Sequence, residues 1–524
     1  MLKVLRERNF RQSVRAEKTM LTPASRRVVF LSVAALIAFC AISPLGRTQT
    51  GSESDKLETA HEHVIIVNKP TLKLRVHALL ARFAHRAHSL ALTGAEVWSI
   101  PKSETSQLLK HLTALGHKAI KLEDDWKHIL MRPNAPVSVT ATEQAVVDKV
   151  GGLAETVQVN LLKMPPAAVV EHAMTHPEAR VVLPLSDGKT ITLLRTQPIA
   201  NTDKGSSWRG ETEGTGEQAA LMLWKDGHLS GYFGYNGHIY TVSAVSGDVH
   251  TMAEMDPGKL PPDHPALPQS KSADAPIGVR TLLPALAEPT VAPFSDAERK
   301  ALEAKKFTID VMILYTKNAA KHYIRDPVDI LSHAIDDANK SFKDSGLGNI
   351  TLRLVHSQAI DYDGRSDDHF SHLYRMVDGI GPFKDVKRLR NEMHADIVGL
   401  IIDNPNGCGL STRVGPDSED AFFVVHHSCA LINYSITHEI GHILGARHDR
   451  RVDPTISPYP YAHGYVSGTK WRSLMSYNEA CGGCPRIPYW SNPRIMYKGQ
   501  PTGTPSNDAA RVILQEAERI SKFR

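Results

Sequence analysis

Apolar and polar positions follow two different periods along this chain of 524 residues, and the changes of period divide it. Residues 96–100 alternate as a strand does, residues 103–115 carry Leu108, Leu109, Leu112 and Leu115 at helical spacing, and residues 118–122 alternate again. Strand, helix and strand in that order predict a small α+β unit. From 181 onward the period is mostly two. Residues 181–185, 190–195, 219–224 and 239–245 read as strands, parted by Asp187-Gly188, Asp226-Gly227 and Asn236-Gly237. Such dipeptides supply the positive φ that tight hairpins need, so this stretch reads as mainly β.

Residues 257–293 hold nine prolines and few long apolar runs, the composition of an extended linker open to proteases. A second folding unit begins beyond it. It predicts a strand at 307–315, a helix with Ile330, Ala334, Ile335 and Ala338 on one face, and a strand at 350–355. A single helix over 369–393 and a buried strand at 395–402 follow. Strands alternating with helices predict an α/β domain with a mixed sheet.

Composition places the chain among folded globular proteins, at 42% hydrophobic and 22% charged residues. The net charge of +5 is uneven: residues 1–27 carry eight Lys or Arg and two Glu, so everything after them sums to −1. A nucleic-acid partner is excluded for the body of the protein, because phosphate binding needs a surplus of basic side chains. The basic head runs into an apolar stretch over 28–45, the order of an export signal. Its length of about 18 residues also suits an uncleaved membrane anchor. The expected location is secreted or periplasmic, or membrane-anchored with the folded part that follows lying outside the cytoplasm.

Four of the five cysteines, Cys408, Cys429, Cys481 and Cys484, lie in the last quarter of the chain. An even number in an exported protein favours disulfides over a structural zinc at Cys481-Gly-Gly-Cys484. Pairing neighbours, 408 with 429 and 481 with 484, is the expectation.

The chemistry concentrates in His438-Glu439-Ile440-Gly441-His442, followed by Gly445, His448 and Asp449. Residues four apart share a helix face, so His438 and His442 can grip one metal ion. Glu439, rotated about 100° from His438, can reach a water beside that ion as a general base. Gly445 permits the left-handed turn that brings His448 back as third ligand. Three histidines and a water make an open, catalytic zinc site, with one Zn²⁺ as cofactor.

With these residues the chain resembles the metzincin metallopeptidases, whose HExxHxxGxxH signature spans His438 to His448. Ser473-Leu474-Met475-Ser476-Tyr477 sits where that family has its Met-turn, 27 residues after His448. Asp449 and the run Cys408-Gly409-Leu410 are similar to the reprolysin branch. The tail Tyr489-Trp490-Ser491-Asn492-Pro493, with Asn507-Asp508-Ala509, resembles bacterial enzymes of the peptidyl-Asp metalloendopeptidase type. The resemblance implies an α/β (α+β) metzincin catalytic domain over 305–524, a mixed sheet with active-site helix and Met-turn, preceded by a mainly β propeptide with a small α+β unit. It divides the chain into a signal or anchor (1–46), an α+β part of the propeptide (47–160), a β-rich part (161–256) and a Pro-rich linker with the activation cleavage (257–304).

The implied activity is zinc-dependent endopeptidase action on protein or peptide substrates, from a zymogen inhibited by its own propeptide. The alternative is an exported zinc-binding or adhesion module without turnover. By resemblance, Met475 is a floor beneath the histidines, and the substrate lies extended along an edge strand near 409–414. Tyr477 either approaches the zinc or packs as ordinary wall. Asp449 either supports the histidine side of the site or is an exposed acid. Arg486, in the stretch expected to line the leaving-group side, either attracts an acidic side chain or is solvated. Residues 47–407 contain no cysteine, so inhibition by a propeptide thiolate is excluded there. Steric blockage, a carboxylate or a histidine remain.

Overall fold

The computed structural model describes residues 61–67, 80, 85–122, 128–130, 132–133, 139–178, 180–185, 187–202, 204–265 and 289–524, all within the unit Thr59–Arg524. The expected export segment and residues 266–288 of the linker lie outside the described residues. Among the described residues no helix is long and apolar enough to cross a membrane.

The predicted α+β unit is a four-stranded antiparallel sheet in the order His85–Ser89, Glu96–Pro101, His61–Val67, Lys118–Lys121. The helix Lys102–Ala114 lays Leu108 and Leu112 against Val64, Ile66 and Trp98. A second, eleven-stranded sheet follows. Its strand Thr156–Lys163 pairs antiparallel with Val249–Met255, so this sheet starts before the expected border at 161. Hairpins build most of it, which is why the turn dipeptides and period-two runs were informative.

The third sheet has five strands in the order Ile350–Ile360, Phe307–Thr316, Ile397–Ile402, Phe422–His426 and Gly409–Ser411. The first four run parallel and Gly409–Ser411 closes one edge antiparallel. Its central strands are nearly continuous apolar runs because both faces are covered. Ile309, Val311 and Ile313 face a core shared with Leu331, Ile335 and Ile440. Met312 and Leu314 face Leu373, Met376 and Phe383 on the other side.

One predicted helix is corrected. Residues 369–393 form His369–Val377, a single 3-10 turn at Gly381–Phe383, and Val386–Glu392. Gly379 (φ +67°) and Gly381 (φ +62°) end the first helix in the left-handed conformation that glycine alone adopts cheaply, and Pro382 prevents its continuation.

The N-terminal region and the third sheet share a core, for Ala220, Tyr232 and Met255 belong to the cluster that contains Phe307 and Ile436. Residues 256–265, at the start of the expected linker, are held against the rest of the fold. Asp256 caps a 3-10 turn at Pro257–Lys259, and residues 261–265 run into the cleft beside Cys408.

Candidate active site

The helix Ser435–Ile443 carries His438, Glu439 and His442, all buried. Two glycines let it lie where it does. A Cβ on Gly441 would sit 2.5 Å from the Trp490 ring and 2.9 Å from Met475 Sδ, so the helix rests directly on the residue expected as its floor. Gly445, at φ +89°, ends the helix in a left-handed turn and returns the chain to His448.

His438 Nδ1 donates to Leu474 O and His442 Nδ1 to Ala446 O, both at 2.9 Å. With Nδ1 so engaged, each ring turns a bare Nε2 lone pair inward. His448 Nε2 lies 3.1 Å from His438 Nε2 and 2.9 Å from His442 Nε2. Burial pushes His442 down to about 4 and His438 well below the usual histidine range, which keeps the rings neutral. Neutral lone pairs this close repel unless a cation sits among them. A tetrahedral zinc with bonds of about 2.0–2.1 Å spaces its nitrogens by roughly 3.3 Å, so the donor set fits that ion.

A fourth ring joins the three. His264, far upstream in sequence, places Nε2 3.4 Å from His438 Nε2 and 3.2 Å from His448 Nε2. It also lies 3.6 Å from Glu439 Oε1. Among the described residues Glu439 accepts no hydrogen bond of ordinary geometry, and burial raises its carboxyl well above the usual range, Ser411 and Arg486 offsetting this only in part. A Cβ on Gly409 would stand 2.5 Å from Glu439 Oε1, so the bare backbone of the edge strand makes room for the carboxyl.

The supporting residues fall close by. Asp449 is buried and not an exposed acid: its carboxylate accepts from Tyr477 N at 3.0 Å and Arg451 N at 3.1 Å, tying the segment that carries the third histidine to the Met-turn. The Tyr477 ring packs on His448 with centroids 4.4 Å apart. Cys408 is bonded to Cys429 and Cys481 to Cys484, the neighbour pairing.

Arg486 is not solvated, its side chain being 5% exposed. Its Nη1 donates to Asn433 O at 2.7 Å, and its Nη2 pairs with Asp263 Oδ2 at 2.9 Å. Arg472 Nη1 reaches the same oxygen at 3.2 Å, and Asn433 Nδ2 donates to Asp263 Oδ1 at 3.1 Å. Burial alone would raise the Asp263 carboxyl, but Arg486 and Arg472 outweigh it and hold the group well below the usual carboxylate range. Arg472 itself is pushed down to about 10 by burial and by Arg486.

His438, Glu439, His442, His448, Asp449, Met475 and Tyr477 are thus brought together, and Arg486 joins them through Asp263. Sequence reasoning missed Asp263, His264, Asn433 and Arg472. An acid and an imidazole inside a Pro-rich stretch, in a chain whose first 407 residues offer no cysteine after Cys40, were the available clue.

Residues 305–491 match Metallo-peptidase family M12. The chain is 31% identical to a protein named peptidyl-Asp metalloendopeptidase from Stenotrophomonas maltophilia, over 64% of this chain and 81% of that one. A protein of the same name from Xanthomonas campestris pv. campestris is 29% identical over 74% of this chain and 91% of its own length. Among solved structures, metalloproteinase-II from Bacteroides fragilis aligns with 67% of this chain and 94% of its own, at 16% identity and a TM-score of 0.35.

Proposed function

The chain belongs to metallopeptidase family M12, and from that premise we propose an exported zinc metalloendopeptidase, made as a zymogen, in which His438, His442 and His448 hold one zinc ion and Glu439 is the general base. The observation that carries this reading is the buried trio of inward-facing histidines, His448 Nε2 lying 3.1 and 2.9 Å from the other two Nε2 atoms, beside a buried carboxyl. Zinc in that set supplies Lewis-acid polarisation of the scissile carbonyl and a water acidic enough to attack near neutral pH.

The protein's own groups do the rest. Glu439 takes a proton from the attacking water and delivers it to the leaving nitrogen, the two-way transfer that a positioned carboxylate performs. The substrate adds its backbone to the edge strand Gly409–Ser411. Tyr477, on the His448 ring, lines the position of the reacting carbonyl. Arg472 and Arg486 receive an acidic side chain beside the scissile bond, a reading supported by Asp263 between them and by the relatives' name, peptidyl-Asp metalloendopeptidase.

The N-terminal region, from 47 to a cleavage point within the 257–304 stretch, acts as the propeptide. The basic head and apolar run direct export to a secreted or periplasmic location, or leave the enzyme anchored outside the cytoplasm. The test is casein hydrolysis by the processed protein, abolished by chelator and restored by zinc. Zinc uptake without hydrolysis would instead support an exported zinc-binding module.

A further inference from the structure

We propose that Pro262, Asp263 and His264 form a substrate-like plug that keeps the full-length chain latent, with His264 as fourth ligand of the catalytic metal and Asp263 filling the pocket of Arg472 and Arg486. The proposal rests on the zinc-endopeptidase reading and names how that site is held shut.

Three independent contacts fix the plug. At the metal position, His264 Nε2 stands 3.2 to 3.4 Å from two of the three histidine nitrogens, making a set of four imidazoles whose ligand atoms all lie within 4.8 Å of one another. Four protein ligands make a closed site, and a catalytic one needs its fourth position open. In the arginine pocket, one carboxylate satisfies two buried guanidiniums and the Asn433 amide. Along the cleft, Cys408 N donates to Pro262 O at 2.7 Å, next to the edge strand. Gly407 admits the segment, since a Cβ there would lie 2.4 Å from Pro265 N.

An acid in the arginine pocket would ordinarily mark this segment for cleavage. His264 prevents it, because its ring fills the place from which water would attack, while the Pro262 carbonyl is engaged by Cys408 N. Prolines at 261, 262 and 265 restrict the segment before it binds, so little entropy is lost in seating it. Only residues 256–261 separate it from Met255, which is anchored in the shared core, so the plug acts at a high effective concentration. Once the plug leaves, two buried guanidiniums face each other without a carboxylate, and a substrate's acidic side chain restores the pairing. Plug and substrate therefore compete for one pocket.

The test reads metal coordination and latency in the full-length chain. Zinc EXAFS on a chain carrying Glu439→Gln, which blocks self-cleavage, is expected to show four imidazoles and no oxygen. Adding His264→Ala leaves three imidazoles and one oxygen. With Glu439 intact, His264→Ala raises casein cleavage by the unprocessed form about 10-fold or more, the effect of one lost strong contact, and Asp263→Asn raises it in the same direction. Three imidazoles with an oxygen while His264 is present overturn the plug and leave the zinc reading standing. A full-length chain that takes up no zinc overturns both. Coordination in the chain that retains His264 decides the question even where the His264 variant fails to fold.

Discussion

Tyr232 of the N-terminal sheet and Tyr434, the left-handed residue that precedes the active-site helix, meet hydroxyl to hydroxyl at 2.9 Å. Tyr232 also donates to Asp337 Oδ2 at 2.7 Å, and Arg209 pairs with the other oxygen of Asp337. One buried carboxylate on the helix Pro327–Asp344 thus ties the N-terminal sheet to the catalytic core. Asp337→Ala strands a buried guanidinium and is expected to cost about 3–5 kcal/mol in urea unfolding of the full-length chain. Asp337→Leu with Arg209→Met recovers most of it. The half-exposed pair Arg325–Asp226, at 2.6 Å, is worth only about 0–1 kcal/mol. Equal losses from the two pairs would contradict this account of the join.

Gly409→Ala separates positioning of the general base from metal binding. The new Cβ displaces the Glu439 carboxyl and leaves the histidines alone. A displacement of about 1 Å costs roughly 100-fold in turnover. Peptide hydrolysis should fall by that order while the processed enzyme retains one zinc; loss of the metal, or unchanged turnover, would show that Gly409 does not make room for Glu439.

Acid should loosen the same join through His333. Burial, aided by Arg209 and opposed by Asp337, pushes this ring from 6.5 to about 4. A histidine with a depressed folded pKa contributes stability above its unfolded pKa and loses it as pH falls through the folded one. The loss therefore begins near pH 6.5, is complete below about 4, and reaches about 3 kcal/mol. Urea midpoints across that window should fall for the wild-type chain and stay flatter for His333→Gln. Parallel slopes would remove His333 as the cause.

The segment before the third sheet bears on processing. Arg511 Nη1 donates to Ala292 O at 2.8 Å and its guanidinium lies 4.9 Å from the Phe294 ring centroid, while Gln515 Nε2 donates to Glu298 at 2.8 Å. Residues 292–298 are thus fastened to the C-terminal helix Ala509–Ile520. N-terminal sequencing of the active enzyme should find a start just upstream of Ala292. An active form that retains residues 100–250 would contradict the propeptide reading.

Much of this was legible in the chain. His438, Glu439, His442, Gly445 and His448 lie within eleven residues, where helix geometry converts spacing directly into a site. Hairpin turns announced the second sheet for the same reason, being local. The break near Gly379 was overlooked because apolar spacing continues across it. His264 and Asp263 were illegible in a stronger sense. They reach the histidines only because the shared core at Met255 fixes where the Pro-rich segment enters the cleft. The sequence leaves Arg486 open between an acid-binding group and a solvated side chain, and only the fold shows that it and Arg472 converge on one carboxylate.

The central claim is that three histidines hold the metal while Glu439 moves the proton. It is tested most directly by measuring zinc content and peptide hydrolysis together in processed Glu439→Gln enzyme. One zinc per chain with hydrolysis lowered by about 10³-fold or more is the predicted result, since the variant keeps the ligands and loses the base. Full zinc with undiminished hydrolysis would contradict it.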